Sequence, residues 1–408
     1  MSKYYDASLV QIPSGYKAGT LYSVLPANGD GDFDFTRASI ATRVNAEGLI
    51  ETVASGVPRL DYPILNGVVQ SCPALLLEPA RTNLALQSAD FTTTWATSGV
   101  TAPTVTANQF VSPDGDTNAD RLQIPSLGTA SLLFQGISHT SGQQITLSVY
   151  IKSNTSSEQY FRIYGDFGVS ISSAFTATSQ WQRFTYTFTA SSTGTRNIGF
   201  YNVTNVSSDL QIWGFQAEAG SYATSYIPTS GTTVARAAEV CNGAGTSAEF
   251  NDSEGVLFAE ISALANDGII RAIAISDGTG FNRVNIRYTG TSNQVEYSLF
   301  VNGQTTKTLF HSILDSTITS KISVHWKTND LKFYVNGFLV GSISSAVMMP
   351  NNTLNQLRFD SGAGLSPFYG KTKQLIAFDA ALTDEQLEDL TSWDSFIEMA
   401  QAQQYLIY

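Results

Sequence analysis

The chain has 408 residues, of which 42% are hydrophobic and 14% are charged, and its formal net charge at pH 7 is −12. This length accommodates roughly two or three domains with cores of their own, and this hydrophobic content argues against global disorder. The acidic balance, without any cluster of Lys and Arg, argues against nucleic acid as a partner. The sequence also contains no run of about 18 apolar residues, so it does not predict a segment inserted in a membrane.

The first part of the chain, residues 1–85, is irregular in pattern. It begins without an apolar segment of signal-peptide length, so we expect synthesis in a cytoplasm. Proline recurs at Pro58, Pro63, Pro73 and Pro79, and proline interrupts regular strands. We predict an N-terminal attachment module here, with sheet edges that suit pairing with a strand of another protein.

Residues 86–236 alternate between apolar and polar positions, and helical periodicity is scarce. Aromatic and β-branched runs are separated by turn residues at short, regular spacing, which is typical of an antiparallel sandwich. The runs are 145–153, 159–167, 181–190, 196–203 and 210–218. We therefore predict a β-sandwich over this region.

A second series of strand-like runs covers residues 250–395, after a connector of small residues at 237–249. Three Asn-Gly pairs follow apolar runs and predict type I′ hairpins, because both central residues of that turn need a positive φ. The pairs are Asn66-Gly67, Asn302-Gly303 and Asn336-Gly337. Thr383, with Gln386 three residues later, predicts the capped start of a short helix. The tail, 396–408, begins with a second short helical pattern.

These patterns predict an all-β fold: two antiparallel β-sandwich domains of jelly-roll type after an irregular N-terminal module, with a short C-terminal helix. Several phrases also resemble a known group of proteins. The stretches "FDFTRASIATRVNAEGLIE" (33–51), "VPRLDYP" (57–63) and "ALLLEPARTNLALQSADF" (74–91), with Trp95, resemble the N-terminal module of bacteriophage fibre, spike and decoration proteins. The stretch "QAEAGSYATSYIPTSGTTVARAAEV" (216–240) resembles the closing strand of the carbohydrate-binding-module-like jelly roll that follows this module.

The region 250–395 resembles a concanavalin A/laminin-G-like sandwich. There "LKFYVNGFLVG" is similar to the usual hairpin, and "LIAFDAALTDEQLEDL" is similar to the last strand and its trailing helix. The resemblance implies a structural protein at the bacteriophage virion surface: a head fibre, tail fibre or decoration subunit. It also implies three kinds of partner: other virion proteins bound through residues 1–85, host or environmental glycans, and further copies of the chain, as a trimer.

Two arginines lie in small-residue segments of these phrases, Arg37 in "FTRAS" and Arg236 in "VARAAEV". An arginine in a small-residue turn usually ties loops together through its planar fork of donors. We therefore expect both to form structural ion pairs or to cap backbone carbonyls, in preference to contacting a ligand.

A structural calcium ion is the one candidate cofactor. In "PDGDTNAD", Asp114, Asp116, Asn118 and Asp120 place oxygen atoms at alternate positions, as the first half of an EF-hand loop does. The complete EF-hand is excluded, because Pro125 stands where the twelfth-position Glu belongs. A partial calcium site and an ordinary solvated turn remain the alternatives.

Aromatic side chains are the candidates for carbohydrate binding, because sugar rings stack on exposed aromatic faces. In the first sandwich these candidates are Trp95, Tyr160, Tyr164 and Tyr201. In the second they are Phe368 and Tyr369, in the loop 361–370. The alternative for each strand aromatic is burial in the core.

Catalysis has no motif to support it. Neither G-x-S-x-G nor H-E-x-x-H occurs, and His139, His311 and His325 have no convincing Ser or Cys partner in sequence. We expect a non-enzymatic protein for host-surface adhesion, with no catalytic residue. The alternatives are an extracellular polysaccharide-degrading enzyme or its non-catalytic carbohydrate-binding arm, and a purely architectural protein without a ligand.

Overall fold

The computed structural model describes residue 4 and residues 6–65, 67–166 and 170–403, and it confirms the all-β fold with antiparallel sheets and a short C-terminal helix. The strands of the N-terminal part are short. They are β1 (Leu9–Gln11), β2 (Tyr16–Lys17), β3 (Thr20–Leu21), β4 (Phe33–Thr36), β5 (Ala41–Val44), β6 (Ile50–Val53), β7 (Leu60–Asp61), β8 (Ile64–Leu65), β9 (Val68–Val69), β10 (Ala74–Leu77) and β11 (Arg81–Asn83).

The first sandwich is built from the strands that follow. They are β12 (Ala96–Gly99), β13 (Thr104–Val111), β14 (Thr117–Ile124), β15 (Ser131–His139), β16 (Gln144–Ser153), β17 (Gln159–Gly165), β18 (Ser170–Ile171), β19 (Phe175–Ala177), β20 (Gln182–Thr189), β21 (Gly194–Tyr201) and β22 (Ser208–Ala219). One sheet has the order β12-β15-β21-β17-β18, with β19 also on β17, and the other has the order β13-β14-β22-β16-β20.

Alternation along each strand explains how the two sheets share a core. In β15, Leu133 and Ile137 are buried between the sheets, whereas Ser138 is exposed on the outside. At the centre, Phe200 and Phe215 pack with their ring centroids 5.7 Å apart. Burying each such side chain contributes about 1.5–3 kcal/mol, which makes the aromatic strands the main stabilising elements of this sandwich.

The second sandwich uses the rest of the chain. Its elements, with the strand that leads into it, are β23 (Val234–Arg236), β24 (Val240–Ala244), β25 (Glu254–Ala263), β26 (Arg271–Ser276), β27 (Arg283–Tyr288), β28 (Gln294–Val301), β29 (Gln304–Ser312), β30 (Ser320–Lys327), β31 (Leu331–Val335), β32 (Phe338–Ile343), β33 (Gln356–Arg358), β34 (Gly370–Phe378), α1 (Asp384–Thr391) and α2 (Phe396–Ala402). Neither helix of the described chain has the length and hydropathy of a membrane-spanning segment.

Strands from residues 1–85 complete both sheets of this second sandwich. One sheet has the order β32-β31-β30-β25-β34-β10-β7, with β1 also on β34, and the other has the order β2-β3-β4-β24-β33-β26-β27-β28-β29. Leu9, Phe33 and Leu75 accordingly lie in the same core as Trp326. The division of the chain into separate units stays a prediction. In the structure, the N-terminal strands and the C-terminal strands share one core.

A two-stranded ribbon, which we call the neck, connects the two sandwiches. It consists of β11 and β23, which pair antiparallel with Arg81 opposite Arg236. The chain therefore enters and leaves the first sandwich side by side, although about 150 residues separate the two strands. The connector predicted at 237–249 is in part a strand, because β24 pairs with both β4 and β33.

The local turn and helix predictions are confirmed where the structure describes them. Asn302-Gly303 has φ values of 52° and 79°, and Asn336-Gly337 has values of 50° and 87°, as a type I′ turn requires. The β8 and β9 strands pair on either side of the third turn, of which Asn66 lies outside the described residues. The Thr383 side chain accepts a hydrogen bond from the Gln386 amide, and the Gln386 side chain completes the capping box.

Gly199 is a position where the fold tolerates no side chain. Its φ is 152°, and an added Cβ would lie 2.1 Å from the carbonyl oxygen of Leu133 on the neighbouring strand.

We expect Gly199→Ala to lower the free energy of unfolding by about 2–4 kcal/mol, since backbone strain and a clash with fixed main chain add together. Gly142→Ala is the matched control: its φ is 81°, but no atom lies within 4 Å of the new Cβ. We expect Gly142→Ala to lower the free energy of unfolding by about 1 kcal/mol. Urea unfolding of both variants measures the two losses, and equal losses would contradict the steric explanation.

Candidate functional site

Five charged side chains form a fully buried cluster at the neck, which we call the charge network. They are Arg37, Arg59, Glu78, Arg236 and Glu239. Glu239 pairs with Arg37 at 2.8 Å and with Arg59, while Glu78 pairs with Arg59 at 2.9 Å and with Arg236 at 2.7 Å. All five lie in phrases that carry the sequence resemblance, so these phrases encode a structural connection between the sandwiches.

Backbone carbonyls accept several of the remaining hydrogen bonds of the charge network. Arg37 donates to the carbonyl of Ser39 at 2.9 Å and to that of Val57 at 3.0 Å. Arg236 donates to the Pro79 carbonyl at 2.6 Å. The predicted structural role of Arg37 and Arg236 is thereby confirmed, because a buried charge is stable only when it is paired and hydrogen-bonded.

Electrostatic interactions favour the ionised forms of Glu78 and Arg59. Burial by itself would raise the pKa of the Glu78 carboxyl, but Arg236, Arg59 and two hydrogen bonds from Ser225 outweigh it and hold that pKa well below its usual range. Burial would likewise lower the pKa of the Arg59 guanidinium, and the carboxylates of Glu239 and Glu78 raise it instead. The ion pairs of these groups connect separate segments of the fold.

The four calcium candidates are not gathered around one point. Asp114 lies in the turn between β13 and β14, where it accepts hydrogen bonds from the Asp116 amide at 2.9 Å and the Asn118 side chain at 3.0 Å. Asp120 is buried and accepts from two other backbone amides, those of Phe91 and Asn108. In the described part of the chain, no group of three or more His, Cys, Asp or Glu side chains is placed to hold a metal ion. The Asp114 carboxylate thus has hydrogen-bond partners within its own turn, and a calcium site there stays a prediction.

Three of the aromatic residues predicted to stack on sugar rings are buried in the structure. Trp95 is 8% exposed, packs on Phe215 with ring centroids 4.9 Å apart, and donates its indole N–H to the Gln87 carbonyl. Tyr164 and Phe368 are 0% and 1% exposed. Stacking needs a free ring face, so none of the three can be a platform, and the alternative of core burial is the correct one for them.

The other three aromatic candidates keep part of their surface in solvent. Tyr160 is 39% exposed, whereas Tyr201 and Tyr369 are half-buried. Tyr160 and Tyr201 lie on the outer face of the same sheet, since Tyr201 is directly opposite Arg162 in the ladder and Arg162 follows Tyr160 by two residues. Tyr369 lies in the second sandwich, so it belongs to no common site with them. A sugar contact at these residues stays a prediction.

An open cleft of about 770 Å³, which we call the neck cleft, lies between the neck and the end of the first sandwich. The neck supplies Arg81 to its wall, Leu84 follows directly after β11, and β15 with the turn after it supplies His139 and Gln143. The sequence folds this way because the His139–Gly194 pair ends the β15–β21 ladder, which leaves the gap between the two sheets uncovered at that end. Hydroxyl groups of Ser138, Thr140 and Thr193 line the rim.

His139 is the residue that distinguishes this cleft. It is 5% exposed, and neither ring nitrogen has a hydrogen-bond partner within the described residues. Its ring packs edge-on against Phe188, with centroids 6.3 Å apart. A buried imidazole without a partner costs about 1–3 kcal/mol, and a ligand that both donates and accepts hydrogen bonds would recover that cost.

Arg81 forms the opposite side of the neck cleft. Its guanidinium lies 5.3 Å from the centroid of the Tyr222 ring and makes one long hydrogen bond, 3.3 Å, to the Ala80 carbonyl. Gly220 leaves room for it: a Cβ there would be 2.8 Å from Nη2 of Arg81. The guanidinium makes no other hydrogen bond with the described residues, although its Nε is buried.

Sequence reasoning missed the neck cleft as a site. In the sequence, His139 has no convincing catalytic partner, and the "ARTNL" segment is recognisable only as part of a stretch that resembles virion proteins. Five separate segments form the cleft: residues 80–84, 138–143 and 193–194, residue 219, and residues 235–236. No spacing rule connects such segments, and only a structure brings them together.

No family model matches the chain, and no curated protein matches it. Among solved structures, the chain is similar to the CBM40 module of the Ruminococcus gnavus IT-sialidase bound to alpha2,3 sialyllactose, with 15% identity, 35% of this chain and 84% of that chain covered, and a TM-score of 0.30. It is also similar to domain 4 of a GH43 extracellular arabinanase from Geobacillus stearothermophilus in complex with arabinotriose, with 11% identity, 43% and 84% coverage, and a TM-score of 0.32. A heptameric SAP-like pentraxin from Limulus polyphemus is similar at 13% identity, 35% and 71% coverage, and a TM-score of 0.28. Similarities this weak do not indicate the function of this chain.

Proposed function

We propose that this protein binds carbohydrate and that the neck cleft is its binding site. The observation that carries the proposal is His139, whose two ring nitrogens are buried without a partner at the wall of a cleft lined by hydroxyl, amide and guanidinium groups. Sugars present dense, alternating hydroxyl donors and acceptors, which match the hydrogen-bonding nitrogens of an imidazole ring.

The dimensions and floor of the neck cleft agree with an oligosaccharide. A volume of about 770 Å³ is within the range of clefts that enclose a small-molecule ligand, roughly 300–1,000 Å³. Leu84 and Ala219 give the cleft an apolar surface on which the C–H face of a sugar ring can lie, while Gln143 adds a planar amide at the rim. Apolar surface with a few convergent polar groups is typical of sites that orient a ligand.

In this proposed function, the neck cleft binds carbohydrate and does not hydrolyse it. A glycosidase needs two carboxyl groups about the scissile bond, and none of the described residues that line the neck cleft is an Asp or a Glu. The alternative role, in an extracellular polysaccharide-degrading enzyme, requires catalytic carboxylates elsewhere. A reducing-sugar assay on the polysaccharide from which a bound glycan derives distinguishes the two, because only hydrolysis releases new reducing ends.

The proposal also includes where the protein acts: on the surface of a bacteriophage virion, as a head fibre, tail fibre or decoration subunit for adhesion to the host. Support comes from the sequence resemblance of the phrases around Arg37, Glu78 and Arg236. Many copies on one particle would convert weak sugar contacts into useful avidity. Immunogold labelling of phage particles and the solution mass of the purified protein, for which we expect a trimer, test this part independently of the cleft.

His139→Phe is the variant that tests the binding site. Phenylalanine keeps the ring packing on Phe188 and removes both nitrogens, so we expect the variant to fold and its affinity for a glycan to fall by about tenfold or more. Glycan-array screening of the wild type identifies the ligand, and calorimetric titration of wild type and variant measures the loss. A Gln143→Ala variant, which alters a half-buried rim residue, should weaken binding by a smaller factor.

Two results would contradict the site. Wild-type binding that survives unchanged in His139→Phe would move the ligand elsewhere, with the outer face around Tyr160 and Tyr201 the next place to examine. A wild type that binds no glycan would remove the function itself and favour an architectural role. The melting temperature of each variant shows whether a loss of binding reflects a loss of fold.

A further inference from the structure

The neck cleft has a charge that contrasts with the chain as a whole. The protein carries a net charge of −12, yet the ionisable side chains that line the cleft are Arg81, Arg236 and His139, and no carboxylate is among the described lining residues. A concave surface lined by one sign of charge concentrates ligands of the opposite sign. The residues among the described lining that carry a fixed charge are therefore both arginines.

The two arginines differ in whether their charge is already compensated. Arg236 is buried in the charge network and pairs with Glu78 at 2.7 Å. Arg81, in contrast, forms no ion pair with any carboxylate that the structure describes, and its Nε has no hydrogen-bond partner there. Its contacts are the Tyr222 ring, which covers one face of the guanidinium, and the Ala80 carbonyl.

From this geometry we infer that the neck cleft takes a carboxylate-bearing sugar, such as a uronic or nonulosonic acid residue, with Arg81 as the group that recognises the carboxylate. The inference rests on the proposed carbohydrate-binding function and specifies its ligand class. A guanidinium presents two parallel N–H donors that match the two oxygens of a carboxylate, and this charge-assisted pair is roughly twice as strong as a neutral hydrogen bond. His139 then contacts the hydroxyl groups of the same sugar.

Tyr222 and Gly220 hold Arg81 in the orientation that this role needs. The aromatic ring limits the guanidinium to a plane, and the absence of a side chain at Gly220 lets that plane lie against the backbone. A long side chain ordered before binding loses less conformational entropy when the ligand arrives. A surface arginine with freely rotating torsions would offer the same charge without this advantage.

The experiment uses pairs of glycans that differ only in charge. Oligosaccharides containing a uronic or nonulosonic acid are each printed beside their carboxyl-reduced counterparts, in which the carboxylate is a hydroxymethyl group, and the purified full chain is applied. We expect the acidic member of a pair to bind about tenfold more tightly. In Arg81→Gln, both members should bind with the affinity of the reduced form.

A matched control removes a positive charge far from the cleft. Lys152 lies near the distant end of β16, about 30 Å along the strand from the cleft residue Gln143. Lys152→Gln should keep the full preference for the acidic glycan, which separates local recognition by Arg81 from the effect of net charge.

The outcomes separate the two proposals. Binding that depends on His139 but is equal for acidic and reduced glycans, in the wild type and in Arg81→Gln, overturns the acidic-sugar inference and leaves the carbohydrate site in place. A preference for acidic glycans that survives in Arg81→Gln also overturns the role of Arg81. No binding to either member of any pair or to neutral glycans overturns both proposals.

Discussion

We expect the Arg59→Met variant to lose about 3–5 kcal/mol of unfolding free energy, because it leaves the buried carboxylates of the charge network without their central partner. Arg59 is 0% exposed and pairs with both Glu78 and Glu239. It also donates to the Thr42 carbonyl and the Ser225 hydroxyl, which lie in separate segments of the chain. Urea unfolding followed by tryptophan fluorescence measures the loss.

The surface pair formed by Lys327 and Glu254 provides the control for Arg59→Met. Its atoms are 2.9 Å apart, but the Lys327 side chain is 51% exposed. Lys327→Met should change the unfolding free energy by less than about 1 kcal/mol, since water screens an exposed ion pair. A loss below about 1 kcal/mol for Arg59→Met as well would show that the charge network contributes little to stability.

The second large expected effect is a loss of stability in acid that depends on Glu78. Because Arg236, Arg59 and Ser225 outweigh burial and hold the pKa of Glu78 below its usual range, the unfolded chain binds a proton at this carboxyl more readily than the folded chain does. The resulting stabilisation is complete above the ordinary carboxyl pKa and is lost as the pH falls below it toward the folded value. We expect about 2 kcal/mol from this residue between pH 7 and pH 3.

Comparison with Glu78→Gln isolates that contribution from the other carboxylates. The variant should be less stable than the wild type at pH 7, and the difference between the two should narrow as the pH falls, because only the wild type gains a proton at this position. Urea midpoints at several pH values between 3 and 7 give the comparison. Parallel stability curves across this range would contradict the assignment of the pH dependence to Glu78.

The charge network and the neck cleft share a wall, which links stability to binding. Arg236 belongs to the network and also lines the cleft, directly opposite Arg81 in the neck ladder. A change in the ion pair between Arg236 and Glu78 would alter that wall of the cleft as well. Variants of the network should therefore be tested for binding only under conditions where they remain folded.

The amino-acid sequence by itself determined the features that depend on a few neighbouring residues. Alternation of apolar and polar residues predicts the sandwich strands, and the Asn302-Gly303 and Asn336-Gly337 turns form because their backbone conformation is favourable for those two residue types. The capping box of α1 is equally local. Even the structural role of Arg37 followed from its small-residue setting, since an arginine there has backbone carbonyls within reach.

Only the tertiary structure decided which surfaces are covered and which segments meet. The sequence leaves Trp95, Tyr164 and Phe368 as either exposed or buried, because the side chains that cover them include ones far away in sequence, such as Phe215 on Trp95. The same holds for β1, which pairs with β34 across more than 360 residues. The unpartnered imidazole of His139 is a property of the space around it, and that space exists only once the neck and the first sandwich are folded together.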